Sequence, residues 1–453
     1  MPIQKEIVLH NPIDYQDFQD VKLILANLSE LAQKQHYGGI VQNSTEADSK
    51  PVDHLTTTQA KNLKTKTYIS QSSSPFIAQY HSLSQYLFEA KSRRRNIHDA
   101  IEFWKNNTCI SFLHSSPLPK DGDYLKFFKG QGCYSMIGYV PGTGSGQGVS
   151  IGRGCNKVGV IAHEIAHALG MWHEQSRPEY DHYIRLLPEN IIPAFISNFL
   201  SRSPDEVIDL GIPYDLGSVM HYGAQAFVSF NGGNTIETLK PGYQRTIGQR
   251  ELPTFYDVKM INSFYCGDRC EPEDDENCEF GGYSHPRDCD RCICPRGLSG
   301  DRCERTEPPQ GEPCGGLLSA KVEWQTIKSP GYLEKGYKRG QQCNWLLKAD
   351  DDRRVVIEFL KPFQFYCTET CLDYVEVKNG TDFGLTGMRF CCYSPPDYSI
   401  MSDGTKMLVL FRAVVSQDVG FRARFRLANA DGSSLGQITK PDNAASEQPY
   451  RGG

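Results

Sequence analysis

The chain has 453 residues, of which 23% are charged and 39% are hydrophobic, and its formal net charge is −6. This length is more than one compact core usually organises and predicts about three domains. Because charges of both signs are mixed, we expect no nucleic-acid and no anionic-membrane partner. The sequence contains no run of about 18 apolar residues, so no membrane span is predicted.

The first 70 residues contain no cysteine and little apolar periodicity. One amphipathic helix is predicted at 21–31, and a polar stretch rich in Ser, Thr and Lys follows it. The start, MPIQKE, does not lead into the apolar segment of a signal peptide.

Residues 92–107 are predicted to form a helix, because Ile97, Ala100, Ile101 and Trp104 recur along one apolar stripe. The three arginines at 93–95 resemble a processing site. Their position inside this helix instead favours a solvated basic face.

The most informative segment has the sequence HEIAHALGMWHE and begins at His163. A helix places His163 and His167 on one face, where both imidazoles can bind one Zn²⁺. Gly170 lets the chain leave the helix and turn back, which makes His173 available as a third ligand. Three protein ligands leave a position for water, as in catalytic zinc sites. Glu164 projects beside that position.

A second segment, SVMHY, contains Met220 and Tyr222. Together with the first segment it resembles the astacin family of metzincin zinc endopeptidases, including nematode members. The resemblance implies an α+β, two-lobed protease domain with an active-site helix. It also implies that Met220 forms an apolar floor under the metal. Tyr222 would be a further metal ligand that swings away to stabilise the oxyanion.

Two further roles follow from this resemblance. Glu174 would pair with the N-terminal ammonium of the processed enzyme, and Arg250 would border the primed side of the cleft. Arg250 could therefore favour an acidic residue just after the scissile bond, and a structural ion pair is an equally open interpretation. The chain departs from the family after Arg177, where Glu179 and Tyr180 replace the expected acid and base. We expect altered surface pairing and retained chemistry there.

The chain also departs from the family in the motif that keeps the zymogen inactive. Residues 1–70 are predicted to be pro-region-like and partly disordered, but the segment at 37–40 that best matches the family's zinc-blocking motif has no Asp. We expect either that the true pro-region is missing together with the signal peptide, or that the zymogen is held inactive in another way. A truncated or mis-assigned start would explain both absences.

The cysteines indicate an extracellular protein. All 16 lie after residue 108, and an even number in clusters is typical of disulfide-bonded, secreted chains. Glycosylation sequons begin at Asn27, Asn43, Asn106 and Asn379, which agrees with secretion. By the resemblance, the predicted catalytic domain at 71–266 contains the disulfides Cys109–Cys266 and Cys133–Cys155.

Residues 267–303 contain six cysteines and resemble an EGF-like module. The usual connectivity of that module implies the pairs Cys270–Cys289, Cys278–Cys292 and Cys294–Cys303. Six cysteines allow 15 pairings, so this set depends on the resemblance alone. Zinc binding by the C-x2-C-x-C cluster is the alternative interpretation.

A linker at 304–313 precedes residues 314–426, which resemble a CUB domain, an all-β sandwich. Alternating residues predict strands at 355–359 and 407–411. The resemblance implies Cys314–Cys343 and Cys371–Cys391, and we expect the additional Cys367 and Cys392 to pair with each other. Asp373 matches a calcium ligand of such domains, but the second acid is absent, so Ca²⁺ is not expected. Residues 427–453 are predicted to be disordered.

These observations predict a secreted zinc endopeptidase that holds one Zn²⁺ per chain and acts on extracellular or matrix proteins. Glu164 would take a proton from the zinc-bound water and pass it to the leaving amine. The EGF-like and CUB modules would supply recognition. The alternative is a catalytically silent secreted binding protein, whose sequence would be expected to lack a ligand or Glu164. The sequence does not indicate an oligomeric state.

Overall fold

The computed structural model describes residues 77–82, 89–114, 124–140, 146–230, 232–350 and 352–428. The predicted helix at 21–31, the segment at 37–40, Asn27, Asn43 and the tail after residue 428 lie outside these ranges. Within them, no helix combines the length and the apolar character that a bilayer crossing requires.

The described chain forms two compact units. The first contains a five-stranded sheet, most of helix α1, all of helix α2 and the turn residues Ile191–Leu200. The sheet order is β2-β1-β3-β5-β4, and all neighbours are parallel except the antiparallel pair β4 and β5. The elements of this unit are β1 (Ile77–Ser82), α1 (Glu89–Asn107), β2 (Ser111–His114), β3 (Tyr124–Phe128), β4 (Cys133–Ser135), β5 (Gln147–Ile151) and α2 (Val158–Ala168).

Helix α1 packs its predicted apolar stripe into the core of this unit. Ile97, Ala100, Ile101 and Trp104 are all buried, whereas Arg94 and Arg95 are exposed, so the helix and its basic face are confirmed. Trp104 Nε1 donates to the carbonyl oxygen of Ala162 at 3.0 Å. A buried indole N–H needs such an acceptor, and this bond attaches α1 to α2.

The second unit begins with short elements. Helix α3 starts at a capping box, in which Thr254 and Asp257 each bond the other's backbone N–H. The remaining elements before residue 307 are β6 (Ile184–Leu186), β7 (Ile236–Thr238), α3 (Phe255–Tyr265), β8 (Tyr283–His285), β9 (Asp288–Ile293), β10 (Leu298–Ser299) and β11 (Arg305–Thr306). Single 3-10 turns occur at Glu174–Ser176, Tyr180–His182, Pro188–Asn190 and Glu279–Gly281, and longer 3-10 helices occur at Pro272–Asn277 and, in the first unit, at Pro193–Phe199.

The C-terminal part of the second unit is a two-sheet β-sandwich. One sheet has the order β12-β14-β19-β16-β17 and the other has the order β13-β20-β15-β18. Aromatic rings from the two sheets meet, as Trp345 and Phe421 do with centroids 5.9 Å apart. The strands are β12 (Gly316–Ser319), β13 (Gln325–Lys328), β14 (Gln342–Lys348), β15 (Val355–Gln364), β16 (Tyr374–Lys378), β17 (Met388–Phe390), β18 (Ile400–Met401), β19 (Lys406–Arg412) and β20 (Gly420–Leu427).

All cysteines form disulfides in the structure, and none is free. A disulfide sulfur is no longer a thiolate, so the cysteine cluster at 289–294 cannot bind zinc as the alternative interpretation required. The pairs are Cys109–Cys266, Cys133–Cys155, Cys270–Cys289, Cys278–Cys292, Cys294–Cys303, Cys314–Cys343, Cys367–Cys392 and Cys371–Cys391.

A cluster of charged side chains joins distant parts of the second unit at Glu251. Its Oε2 atom lies 2.7 Å from Arg296 Nη1 and 3.8 Å from Arg389 Nη1, and it accepts a hydrogen bond from Tyr374 at 2.9 Å. Arg389 also pairs with Glu376 at 2.9 Å. Burial alone would raise the pKa of Glu251, but the charges of Arg296 and Arg389, with hydrogen bonds from Arg296 and Tyr374, lower it to about 2.

This cluster predicts a specific pH dependence of stability. The folded pKa of Glu251 lies below the ordinary value of about 4.3, so its stabilisation is complete above about pH 4.5 and is lost as the pH falls toward 2. We expect Glu251→Gln to lower the free energy of unfolding at pH 7 by about 2 kcal/mol, because Arg389 stays buried while water partly screens Arg296. Urea unfolding at several pH values measures the difference, which should shrink on acidification.

The exposed Glu312 supplies the control for this measurement. Its ion pair with Lys338 is solvent-accessible, so Glu312→Gln should change the free energy of unfolding by less than about 1 kcal/mol. A Glu251→Gln difference that stayed constant from pH 7 to pH 2 would contradict the assignment.

Candidate active site

Helix α2 carries three of the predicted site residues. His163, Glu164 and His167 are fully buried, which is uncommon for polar side chains that have no functional or structural partner. The rings of His163 and His167 have centroids 4.5 Å apart and are nearly perpendicular. The spacing of four residues therefore brings the two imidazoles together as predicted.

The end of the helix determines the tautomer of His167. Its Nδ1 atom lies 2.8 Å from the carbonyl oxygen of Met171. Because a carbonyl oxygen can only accept, Nδ1 must carry the proton. The lone pair of Nε2 is then available to a metal ion, an arrangement common among histidine ligands.

Gly170 makes the turn that follows. Its φ of +105° is in the left-handed region, where side chains other than glycine are strained. Gly170 N–H donates to the carbonyl of His167 at 2.9 Å, and Met171 N–H donates to the carbonyl of Ala166 at 3.0 Å. This pair of bonds is a Schellman motif, which ends the helix and redirects the chain.

The redirected chain carries His173. The candidate ligand atoms of His163, His167 and His173 all lie within 4.8 Å of one another. They belong to one short continuous segment, so the local chain path sets their spacing. Three imidazoles suit Zn²⁺ and leave one position for water or substrate, so this donor set fits a catalytic zinc ion.

The second predicted segment is bonded to the residues around His173. Glu174 N–H donates to the carbonyl of Met220 at 3.2 Å, and Tyr222 N–H donates to Oε1 of Gln175 at 3.0 Å. The rings of His173 and Tyr222 have centroids 4.4 Å apart. The prediction that Tyr222 lies at the site agrees with this placement, but the role of Gln175 was not predicted.

Asp257 is a second residue that the sequence did not reveal. Its carboxylate accepts from Ser218 Oγ at 2.6 Å, from Val219 N–H at 2.9 Å and from Thr254 N–H at 2.7 Å. Burial raises its pKa to about 6. The T-x-x-D pattern at 254–257 indicates a capping box, but nothing in it signals that the same carboxylate also holds the turn before Met220.

The carboxylate of Glu174 is buried and contacts Asp215 and Arg177. Its Oε1 atom accepts from Asp215 N–H at 2.9 Å and lies 3.3 Å from Arg177 Nη1. Burial raises its pKa to about 8 against the opposing charge of Arg177. The pairing of Glu174 with the N-terminal ammonium of a processed chain stays a prediction.

Glu179, one of the two residues that depart from the family pattern after Arg177, forms an ion pair with Arg177. Arg177 Nη2 pairs with Glu179 Oε1 at 2.7 Å, while its Nη1 contacts Glu174. Glu179 therefore supplies a local acidic partner, and none of these groups belongs to the candidate ligand set.

Arg250 is half-buried and contacts the backbone next to Tyr222. Its Nη1 atom donates to the carbonyl of His221 at 2.9 Å and to the carbonyl of Gln249 at 2.7 Å. These bonds place its guanidinium beside the residue that precedes Tyr222. The specificity role stays a prediction.

Asp373 has contacts that differ from those of a metal ligand. Its two oxygens accept from the backbone N–H groups of Val414, Val415 and Ser416 at 2.6, 2.7 and 3.0 Å. The hydroxyl of Ser416 donates to it as well, at 2.8 Å. The carboxylate thus holds a loop of the sandwich, and the expectation that Ca²⁺ does not bind stays a prediction.

The two described sequons differ in their surroundings. Asn106 is exposed at the end of α1, whereas Asn379 is partly buried and its Nδ2 donates to the carbonyl of Met401 at 3.0 Å. Glycosylation at either position stays a prediction.

Comparisons with known proteins agree with this geometry. Residues 79–266 match the family model of astacin, a peptidase family, and residues 314–425 match the model of the CUB domain. Both matched ranges lie within the predicted domains at 71–266 and 314–426. The α+β protease fold and the all-β sandwich predicted from the sequence are thereby confirmed.

Similar proteins occur in nematodes. The chain is 50% identical over 332 residues to "Zinc metalloproteinase nas-36" of Caenorhabditis briggsae, covering 73% of this chain and 53% of that protein. It is 43% identical over 347 residues to "Zinc metalloproteinase dpy-31" of Caenorhabditis elegans, covering 75% and 58%. The chain thus spans about half the length of the curated relatives it matches. High choriolytic enzyme 1, a hatching enzyme zinc-protease from Oryzias latipes, is 35% identical, covering 42% of this chain and 88% of that chain, with a TM-score of 0.37.

The turn at Gly170 predicts a linked loss of stability and zinc affinity. No atom lies within 4 Å of a Cβ built at Gly170, so Gly170→Ala acts through backbone strain and not through crowding. We expect it to lower the free energy of unfolding by about 1 kcal/mol or more and to weaken zinc binding, because His173 is displaced. Chemical unfolding and competitive metal titration measure the two effects.

Gly316 provides a matched control. Its φ is +106° and it also has open space around a built Cβ, but it lies in the β-sandwich. Gly316→Ala should reduce stability to a similar extent and leave zinc affinity unchanged. Equal zinc affinity in the two variants would refute the role given to the Gly170 turn.

Proposed function

This chain belongs to the astacin family of peptidases, and from that premise we propose that it is a secreted zinc metalloendopeptidase that hydrolyses extracellular proteins. The observation that carries the proposal is the buried set on residues 163–173. Three imidazoles come within 4.8 Å of one another, and a carboxylate follows the first of them in the chain. The curated relatives that the chain matches are described as zinc metalloproteinases.

His163, His167 and His173 would hold one Zn²⁺ per chain. When bound, the ion supplies Lewis-acid chemistry, because it polarises a carbonyl and lowers the pKa of water. The hydrogen bond from His167 Nδ1 to the carbonyl of Met171 holds one imidazole in the tautomer that can bind. Burial of all three rings limits their alternative rotamers and preserves the arrangement.

Glu164 is assigned as the general base and then the general acid. One of its carboxylate oxygens would accept a proton from the attacking water and then deliver that proton to the nitrogen of the leaving amine. Glu164 is fully buried, so bulk water does not compete for the proton between these two steps. Its place next to His163 on α2 keeps it beside the metal ligands throughout.

Tyr222 is assigned to the oxyanion. Its phenol would donate a hydrogen bond where negative charge develops on the scissile carbonyl oxygen. Its ring lies beside His173, and Gln175 holds its backbone N–H, so the side chain starts from a defined position. Met220, fully buried, would form the apolar floor under the metal.

The other parts of the chain are assigned to location and regulation. Three disulfides crosslink residues 270–303, a pattern that supports an EGF-like module. The disulfides throughout the described residues support secretion into an oxidising compartment, where matrix or surface proteins would be the substrates. Residues 1–70 are assigned as the pro-region of a zymogen.

Replacement of Glu164 tests the mechanism. Glu164→Gln keeps the size of the side chain and removes the base, so we expect kcat to fall by about 10²- to 10⁴-fold while zinc content is unchanged. Hydrolysis of a denatured protein and of a quenched peptide by the processed protein measures the effect, and metal analysis measures the zinc. Glu189→Gln, on the exposed surface of the same domain, should leave both readouts unchanged.

Hydrolysis by Glu164→Gln at the wild-type rate would exclude this mechanism. A wild-type protein that retains zinc and hydrolyses neither substrate would instead identify a catalytically silent binding protein.

Arg250 predicts a preference for an acidic residue just after the scissile bond. Arg250→Ala should lower kcat/KM by about tenfold for a peptide with Asp at that position and have little effect on the matched Asn peptide, because only the acidic side chain loses a charge-assisted contact. Kinetics on the two peptides measure the ratio. Equal losses for both peptides would show that Arg250 acts only through its bonds to His221 and Gln249.

A further inference from the structure

The CUB domain contacts the protease domain at the segment that carries Met220 and Tyr222. We call residues 215–223 the Met-turn segment. Asp215, at its start, is buried, and its Oδ1 atom accepts from Gly217 N–H at 3.0 Å. Two more donors come from Thr386 of the CUB domain, whose N–H lies 3.2 Å from Oδ1 and whose hydroxyl lies 3.0 Å from Oδ2. A buried carboxylate needs such donors, and the CUB domain supplies two of them.

The contact at Gly217 leaves no room for a side chain. A Cβ built at Gly217 would overlap the side chain of Thr386. Thr386 itself is only 6% exposed. The CUB domain therefore packs directly against the backbone of the Met-turn segment, three residues before Met220.

A second contact lies just beyond Tyr222. Gln225 N–H donates to Oε1 of Glu369 at 2.5 Å, and a Cβ built at Gly223 would lie 3.2 Å from the same oxygen. Thr370 Oγ1 donates to the carbonyl of Ile247 at 2.7 Å. Glu369 thus holds the chain that follows Tyr222, while Thr386 holds the chain that precedes Met220 and Thr370 contacts a third segment at Ile247.

The contact is continuous with buried polar bonds at Thr246. Its Oγ1 donates to the carbonyl of Gly387 at 3.2 Å and accepts from Arg389 N–H at 3.0 Å. Tyr256 donates to Asp382 at 2.5 Å on the same side of the protease domain. Oriented hydrogen bonds of this kind specify one arrangement of the CUB domain against the protease domain. A flexible linker alone would not specify an arrangement.

We propose that the CUB domain is a structural support of the active site and that Thr386 is a positioning residue for Tyr222 and Met220. The inference deepens the proposed peptidase function and rests on it. Thr386 and Glu369 direct their polar atoms at the protease domain, where Thr386 holds the start of the Met-turn segment and Glu369 holds the chain just after it. Removal of these bonds therefore reduces turnover of every substrate, including peptides too short to reach the CUB surface.

Two substitutions at one position separate the hydrogen bond from packing. Thr386→Val keeps the shape of the side chain and removes the hydroxyl that Asp215 accepts from, whereas Thr386→Ser keeps the hydroxyl. Ser399→Ala is the control, because it removes a hydroxyl–carboxylate bond to Glu358 of 2.8 Å that lies wholly inside the CUB domain. All three are tested in the processed, zinc-loaded full chain with a short quenched peptide and with a protein substrate.

We expect Thr386→Val to lower kcat on the short peptide about tenfold with KM nearly unchanged, because a displaced Tyr222 weakens stabilisation of the transition state and not substrate binding. Thr386→Ser should recover most of the rate, and Ser399→Ala should behave as wild type. Hydrogen exchange supplies a readout that does not depend on activity: the backbone amides of residues 217–222 should exchange faster in Thr386→Val than in the other two variants.

The proposal is overturned if Thr386→Val cleaves the short peptide as wild type does and only its KM for the protein substrate rises, since the CUB domain would then act in recognition alone. Equal losses in Thr386→Val and Thr386→Ser would overturn the role given to the Thr386 hydroxyl, because packing against Gly217 would then be responsible. If the wild-type protein cleaves neither substrate, the proposed peptidase function is wrong, and hydrogen exchange still tests whether the CUB domain holds the Met-turn segment. Faster exchange of residues 217–222 in Thr386→Val would support this role, and unchanged exchange would refute it.

Discussion

Buried carboxylates hold the second half of the candidate active site. Asp257 accepts from Ser218 and Val219, while Asp215 accepts from Gly217. A carboxylate removed from water is stable only when hydrogen-bond donors replace its hydration. The chain around Met220 supplies three of those donors, which are Gly217 N–H, Ser218 Oγ and Val219 N–H. The two buried acids therefore hold the path that brings Tyr222 beside His173.

The same requirement connects the protease domain to the rest of the second unit. Thr386 supplies donors to Asp215, and Arg296 and Arg389 neutralise Glu251. Buried ion pairs add little net stability compared with apolar packing, because desolvation offsets their attraction. Any arrangement that leaves one of these buried charges unpaired is destabilised. The ion pairs therefore favour one specific arrangement of the contact between the protease domain and the rest of the second unit.

Local patterns in the sequence predicted the elements that depend on neighbouring residues. The apolar stripe of α1 and the paired histidines of α2 follow the helical repeat, and Gly170 ends α2 because glycine adopts a positive φ without strain. Each could therefore be predicted without knowing what packs against it. The seven disulfides that the resemblance implied, and the eighth expected between the additional Cys367 and Cys392, are the pairs in the structure. Gln175, Asp257 and Thr386 carry no such signal, because their partners lie far away in the chain and belong to other elements.

The sequence by itself thus determined the zinc-ligand segment and the astacin and CUB resemblance, because short-range spacing and motifs encode them, and the resemblance in turn implied most of the cysteine pairs. The tertiary structure decided how the segment with Met220 and Tyr222 is held, and by which acids. It also brought Thr386 against Asp215 and Glu369 against Gln225. The physical reason is that a hydrogen bond between buried groups depends on distance and direction in space, and neither can be read from the separation of two residues along the chain.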